Sequence, residues 1–221
     1  MAALPLFISF PRTGAHWINC VMELYFDRPR LREMRATFLD PMRTDWMWFH
    51  DHDLKLDLVH PDLLFLYRAP VETIFSNLAY DRRRSAQSLL SRFLGSVRPA
   101  ELDAAELRLR CNHYRHHCEK YLLSASPART VVRHEKFKTG RAKEFAKICA
   151  HFGQPLDESR MERAFATVSP AALVAKTGDT PEMGRHMLAE DYQASRLAFA
   201  TQWGPFIEEQ VITPELCPFF S

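Results

Sequence analysis

The chain has 221 residues, 47% of them hydrophobic and 25% charged, with 29 Lys plus Arg against 27 Asp plus Glu. This suits one domain over residues 1–221 with an interior large enough to bury a sheet under helices, and it excludes a disordered chain, a collagen-type repeat and a coiled coil. A net charge of +2 excludes a general nucleic-acid or membrane binder, so any anion site must be local.

In chain order, apolar runs with the length of buried strands fall at Leu4–Phe10, Trp46–Phe49, Leu63–Tyr67 and Thr130–Arg133. Helical patterns alternate with them. His16–Phe26 follows the first run, and Pro70–Arg83 follows the third with Val71, Ile74, Phe75 and Leu78 on one stripe. Residues 28–35 read as an exposed loop or helix start, and Asp81–Arg84 as charges closing a helix. Ala100–Leu123, Ala142–Phe152, Glu158–Val168 and Glu190–Trp203 read as further helices. Strand and helix in alternation predict an α/β fold, three-layer, with a central mostly parallel sheet flanked by helices. Five scattered cysteines in a chain this large point to a reducing compartment, hence the cytoplasm, and no apolar run is long enough for a membrane helix.

Three segments carry chemistry. In the first, FISFPRTGAHW, a strand passes through Pro11-Arg12-Thr13-Gly14 into a helix. Backbone N–H groups and the positive end of the helix then converge where Arg12 adds charge and Thr13 a hydroxyl. The plain alternative is a strand-to-helix turn capped by Thr13. A Walker-type loop would need a lysine and a Ser/Thr after the second glycine, and Ala15-His16 stand there instead, which disfavours an ATP- or GTP-dependent kinase. In the second segment, DLLFLYRAPVETIFS, Arg68 ends a strand, Pro70 opens a helix and Ser76 lies within it. Ligands of parallel sheets bind at the carboxyl ends of strands, so Arg68 belongs beside Arg12; the alternative is that Arg68 pairs Glu72 and Ser76 is a neutral helix-face residue. In the third, WFHDHDL, His50 and His52 fall between the other two, and neutral imidazole suits proton removal near pH 7.

The first segment resembles the 5′-phosphosulfate loop of the sulfotransferases that use 3′-phosphoadenosine 5′-phosphosulfate (PAPS), over Phe10-Pro11-Arg12-Thr13-Gly14-Ala15-His16-Trp17, with Arg12 in place of the commoner lysine. The second resembles that family's 3′-phosphate region, R-x-P-x-x-x-x-x-S, through Arg68, Pro70 and Ser76. The third is similar to the family's K-T-H-x segment, with His52 at the general base and His50 at the lysine. VVRHEKF looks like the strand and turn that follow in the family, with His134 for a Tyr that often touches adenine and Trp17 left as the stacking surface. A late loop with Lys176, Thr177 and Gly178 loosely matches a nucleotide-binding loop.

The resemblance implies a P-loop NTPase-like sulfotransferase fold and transfer of a sulfuryl group from PAPS, leaving 3′-phosphoadenosine 5′-phosphate (PAP), with no metal required. The acceptor would be a hydroxyl or amine of a small molecule, carbohydrate or lipid; at 221 residues the chain is shorter than the family's animal cytosolic members, which leaves the acceptor pocket open or completed by another chain, a homo-oligomer among the options. It implies His52, Arg12 and His50 as catalytic and Arg12, Thr13, Gly14, Ala15, His16, Trp17, Arg68, Ser76, Lys176, Thr177 and Gly178 as cofactor-binding. A phosphoryl-transfer kinase and a non-catalytic nucleotide-binding module stand as alternatives. CNHYRHHC, with His113 and His117 four apart, reads as a structural helix in preference to a zinc site.

Overall fold

A computed structural model of the chain describes residues 4–31, 38–40, 42–87, 103–124, 128–169, 172–173, 175 and 190–221. The strands are β1 (Leu6–Ser9), β2 (Arg30–Leu31), β3 (Trp48–Asp51), β4 (Asp62–Tyr67) and β5 (Ala128–Arg133). The helices are α1 (Ala15–Phe26), α2 (Pro70–Gln87), α3 (Ala104–Leu122), α4 (Lys136–Thr139), α5 (Arg141–His151), α6 (Glu158–Thr167), α7 (Glu190–Val211) and α8 (Cys217–Phe220). The sheet runs β2-β3-β1-β4-β5, and each neighbouring pair is parallel.

Strand alternation divides the interior in two. Phe7, Leu64, Leu66 and Val132 face one core, shared with Ile18, Val21 and Met22 of α1, Phe145 of α5 and Phe165 of α6. Leu6, Ile8, Phe65 and Tyr67 face the other, with Ile74 of α2, Tyr114 and Cys118 of α3 and Ile207 of α7. Each central strand is therefore apolar on both faces, which makes it an uninterrupted hydrophobic run and the fold a three-layer α/β sandwich. Asp103 and Asp157 cap α3 and α6, accepting from the N–H of Glu106 (2.6 Å) and Arg160 (2.9 Å).

Several boundaries differ from the sequence reading. Arg30 and Leu31 form a strand where an exposed loop or helix start was expected, and Arg30 is buried because its guanidinium pairs Glu23 beneath α1. The strand expected to end near Phe49 continues to Asp51, α2 runs on to Gln87, and α7 passes through Pro205 to Val211. In register, Ile8 lies opposite Asp51 on one side and Phe65 on the other. Phe10, His52 and Arg68 thus leave the sheet along one edge.

Candidate active site

The loop after β1 has two left-handed residues flanking Thr13: Arg12 at φ 71° and Gly14 at φ 89°. Such alternation is the construction of anion-binding nests, here with the Thr13 N–H turned back to the Phe10 carbonyl (3.4 Å). For Arg12 this conformation costs ~1–2 kcal/mol, and its neighbours hold it there. Arg68 Nη1 donates to the Arg12 carbonyl oxygen (3.2 Å), Arg12 Nε donates to Ser76 Oγ (3.4 Å), and the Arg12 guanidinium lies 5.0 Å from the Tyr80 ring centre. The Thr13 hydroxyl is engaged within the loop, donating to the Phe10 carbonyl (2.8 Å). Gly14 is the N-cap of α1, which has no side-chain cap and no acidic residue in its first turn, so its positive end meets the loop without a counter-charge from that turn. A Cβ on Gly14 would lie 2.5 Å from His134 Cδ2, so close approach as well as φ demands glycine here.

Beyond the loop, Ala15 is buried and offers only backbone. The His16 ring turns aside: its Nδ1 accepts from Arg30 Nη2 (3.4 Å), and its Nε2 lies 3.6 Å from Cys20 Sγ. Trp17 is half-buried, its Nε1–H donating to the Val168 carbonyl (2.9 Å) and its indole edge-on to His134, Phe137 and Phe165. Burial, with the charges of Arg68 and Lys138, pushes His134 down to about 3 and keeps it neutral near pH 7.

Arg68 follows β4, and its own peptide is gripped by Tyr114, whose hydroxyl donates to the Arg68 carbonyl (2.5 Å) and accepts from the Arg68 N–H (3.3 Å). The Arg68 guanidinium pairs Glu72 (3.1 Å), the contact weighed above as its alternative role. Glu72 also receives Arg196 of α7 (3.0 Å), and Glu135 stands 4.0 Å from Arg68 Nε while accepting from the Ala69 N–H. Arg68 Nε is buried without a hydrogen-bond acceptor among the described residues, a donor to spare for an anion. Ser76 is not the neutral helix-face residue of the alternative reading, since it receives Arg12.

His50 lies within β3 and is buried, its Nε2 3.1 Å from Ser9 Oγ, while His52 is half-buried just past the strand. The two rings meet edge to face at 5.0 Å. His52 Nδ1 stands 2.7 Å from the Ser9 carbonyl oxygen, which can only accept. Nδ1 therefore carries the proton, and the basic lone pair falls on Nε2. Asp53, at φ 42°, anchors the turn: its carboxylate accepts from the N–H groups of Asp57 and Leu58, from Lys120 Nζ (2.6 Å) and from the Tyr121 hydroxyl. Burial works against that charge, but the bonds from Lys120 and Tyr121 outweigh it and leave the carboxyl below its ordinary range.

Arg12, Ser76 and Arg68 are thus brought together, with His50 and His52 joined through Ser9. Lys176, Thr177 and Gly178 lie outside the described residues. The sequence does not mark Ser9, Glu72, Tyr114, His117 and Arg196 as site residues. For Tyr114 and His117 the signal was present as a stripe of aromatic residues at helical spacing in CNHYRHHCEKY. Among the described residues no group of three or more His, Cys, Asp or Glu side chains is placed to hold a metal ion.

No family model matches the chain by sequence, and no curated protein does. Solved structures do. A mouse sulfotransferase, SULT7A1, complexed with PAP, superposes with a TM-score of 0.56 at 14% identity over 99% of this chain and 87% of the other. A retinol dehydratase in complex with androsterone and inactive cofactor PAP gives 0.51 at 12% identity, over 95% and 82%. The chain has the fold of the PAPS-dependent sulfotransferases: a five-stranded parallel sheet between helical layers.

Proposed function

We propose that this chain moves a sulfuryl group from PAPS to a hydroxyl or amine of a small-molecule, carbohydrate or lipid acceptor, with His52 as general base. The observation that supports the reading most is the 2.7 Å approach of His52 Nδ1 to the Ser9 carbonyl oxygen, with Ser9 Oγ at 3.3 Å from the same atom. Because a carbonyl only accepts, the proton is assigned to Nδ1 and the basic lone pair to Nε2, on a loop that leaves the same sheet edge as the Arg12–Gly14 loop and Arg68. The residues fit the donor: Gly14 takes the left-handed conformation the loop needs, α1 supplies an uncapped positive end, and Arg68 has a buried Nε–H without a hydrogen-bond acceptor among the described residues.

His52 Nε2 takes the proton as the acceptor oxygen or nitrogen forms its bond to sulfur. The bond between sulfur and the bridging phosphate oxygen breaks in line with that attack, and its electron pair leaves on PAP. Arg12 and the loop amides stabilise the charge growing on that oxygen. Arg68 and Ser76 grip the 3′-phosphate, Trp17 faces the adenine, and His50 supports the base through Ser9. Lys176, Thr177 and Gly178 complete the nucleotide site. The protein acts as a single domain, in the reducing cytoplasm to which its scattered cysteines point. Among the described residues no helix is long and apolar enough to cross a membrane.

A thermal-shift titration with PAP, ADP and ATP, each with and without magnesium, tests this, because a ligand of the folded state raises its apparent stability. Selective stabilisation by PAP without magnesium is expected. Stabilisation by ATP with magnesium and none by PAP would move the chain to the kinase class.

A further inference from the structure

We propose that helix α3 is the positioning element of this site, with His117 holding the base His52 in register and Tyr114 holding Arg68. The inference deepens the transfer reading and rests on it for what His52 and Arg68 do. The histidine-rich run CNHYRHHC first reads as packing or as metal ligands, yet its side chains reach the three loops of the site. The Phe10 ring lies edge-on to His113, Tyr114 and His117 at 5.3, 4.9 and 5.4 Å. Tyr114 closes both hydrogen-bonding groups of the Arg68 peptide. His117 Nε2 stands 2.9 Å from the His52 carbonyl oxygen. One turn on, Lys120 and Tyr121 take the Asp53 carboxylate, and one turn back His113 Nε2 lies 3.0 Å from the Leu54 carbonyl. Positions 113/114, 117 and 120/121 recur at helical spacing and so share a face. A rigid helix thereby sets the relative heights of loops that sequence holds far apart.

The chemistry of His117 argues against a filler. A carbonyl only accepts, so Nε2 is the protonated nitrogen, and the ring's Nδ1 is left buried with no hydrogen-bond partner among the described residues. A packing residue would avoid that unsatisfied nitrogen. Burial pushes His117 down to about 4, so the ring stays neutral and brings no charge beside the base. The bond from His117 holds the His52 backbone, while Ser9 holds its ring through Nδ1–H. Removing the backbone bond loosens the loop that carries the ring, and a misplacement of 1 Å in a reacting group costs on the order of 10²-fold in rate.

The test compares His117→Met, which keeps bulk without a donor, with His117→Gln, whose amide nitrogen reaches the place of Nε2. His117→Met should lower kcat about 10- to 100-fold with little change in the KM for PAPS or in the PAP thermal shift, and His117→Gln should restore most of it. Tyr114→Phe should instead act mainly on PAP affinity. Nitrogen NMR of the His52 ring is a second readout, independent of turnover: one Nδ1–H tautomer in the parent chain, mixed tautomers in His117→Met. Equal kcat in His117→Met and His117→Gln, with the His52 tautomer unchanged in both, would overturn the proposal. If the parent chain transfers nothing from PAPS, the transfer reading fails, while the NMR comparison still decides whether His117 holds His52. Should His117→Met fail to fold, His117→Asn serves: its shorter amide falls short of the carbonyl, and His117→Gln-like turnover and tautomer there would equally overturn the idea.

Discussion

Replacing Gly14 by alanine probes the loop after β1 through two separable costs. The first is conformational: at φ 89° an L-residue carries ~1–2 kcal/mol that glycine does not. The second is steric, because the added Cβ would stand 2.5 Å from His134 Cδ2 and 2.7 Å from Nε2. His134 has little room to yield, being buried against the Trp17 indole with its own N–H bonded to the Tyr67 carbonyl (2.9 Å). Overpacking of this kind costs ~1–3 kcal/mol. Urea denaturation of Gly14→Ala should therefore show a loss of ~2–5 kcal/mol. The double variant Gly14→Ala/His134→Ala should recover the steric part, giving a coupling energy of ~1–3 kcal/mol between sites that share no other bond. A Gly14→Ala loss below about 0.5 kcal/mol, the scatter expected of an indifferent surface change, would refute both the left-handed loop and its contact with His134.

His52→Ala should lower turnover about 10²- to 10⁴-fold while leaving the PAP thermal shift in place; unaltered turnover would remove His52 as the base. Arg68→Ala should weaken PAP by roughly 10- to 100-fold, the worth of charge-assisted hydrogen bonds, and adenosine 5′-phosphosulfate far less; equal losses for the two ligands would put Arg68 away from the 3′-phosphate. The buried His117 gives an acid-side signature. Its pKa is held at about 4 in the fold against ~6.5 when unfolded, so the unfolded chain binds more protons between these values. Stability is then full above pH ~6.5 and falls by ~3 kcal/mol as pH drops to the folded value. Urea midpoints from pH 7 to 4.5 should decline less steeply in His117→Gln than in the parent chain, and parallel slopes would contradict the neutral buried ring. Asp53, whose folded pKa is depressed, adds stability that is present above its unfolded value of ~3.9 and lost as pH falls through the folded one. Asp53→Asn should flatten the curve below pH ~4, and a curve still superposable on the parent's would argue against the ion pair with Lys120.

The features legible in the sequence are those whose causes are local. A strand, a tight loop with Gly14 and a helix start sit within one dozen residues, and the Arg68–Pro70–Ser76 spacing lies within a single strand-to-helix turn. The parallel sheet followed from apolar runs that need no alternation because helices cover both faces. β2 leaves no mark in the sequence because two residues starting with an arginine carry no hydrophobic run; Arg30 sits in the interior with Glu23, seven residues earlier on α1, at 3.5 Å and His16 as a second partner. Ser9 gave no signal either, being one small residue at a strand end, yet its carbonyl selects the tautomer of His52 and its hydroxyl reaches His50.

Helix α3 is the instructive case. Its residue types were conspicuous, and composition alone framed the choice as metal ligation or packing. What decides the matter is tertiary register: the helix crosses behind the ends of β1, β3 and β4, so Tyr114, His117 and Tyr121 meet backbone and carboxylate groups that no sequence window contains together. The donors of Tyr114 and His117 meet backbone groups of Arg68 and His52, while the His52 ring is held separately at Ser9. A site assembled from loops at three strand ends needs such a common reference, because each loop by itself fixes only its own segment. In this chain that reference is α3, whose exposed face carries Leu109 and His116 while its buried face meets the backbone of His52 and of Arg68.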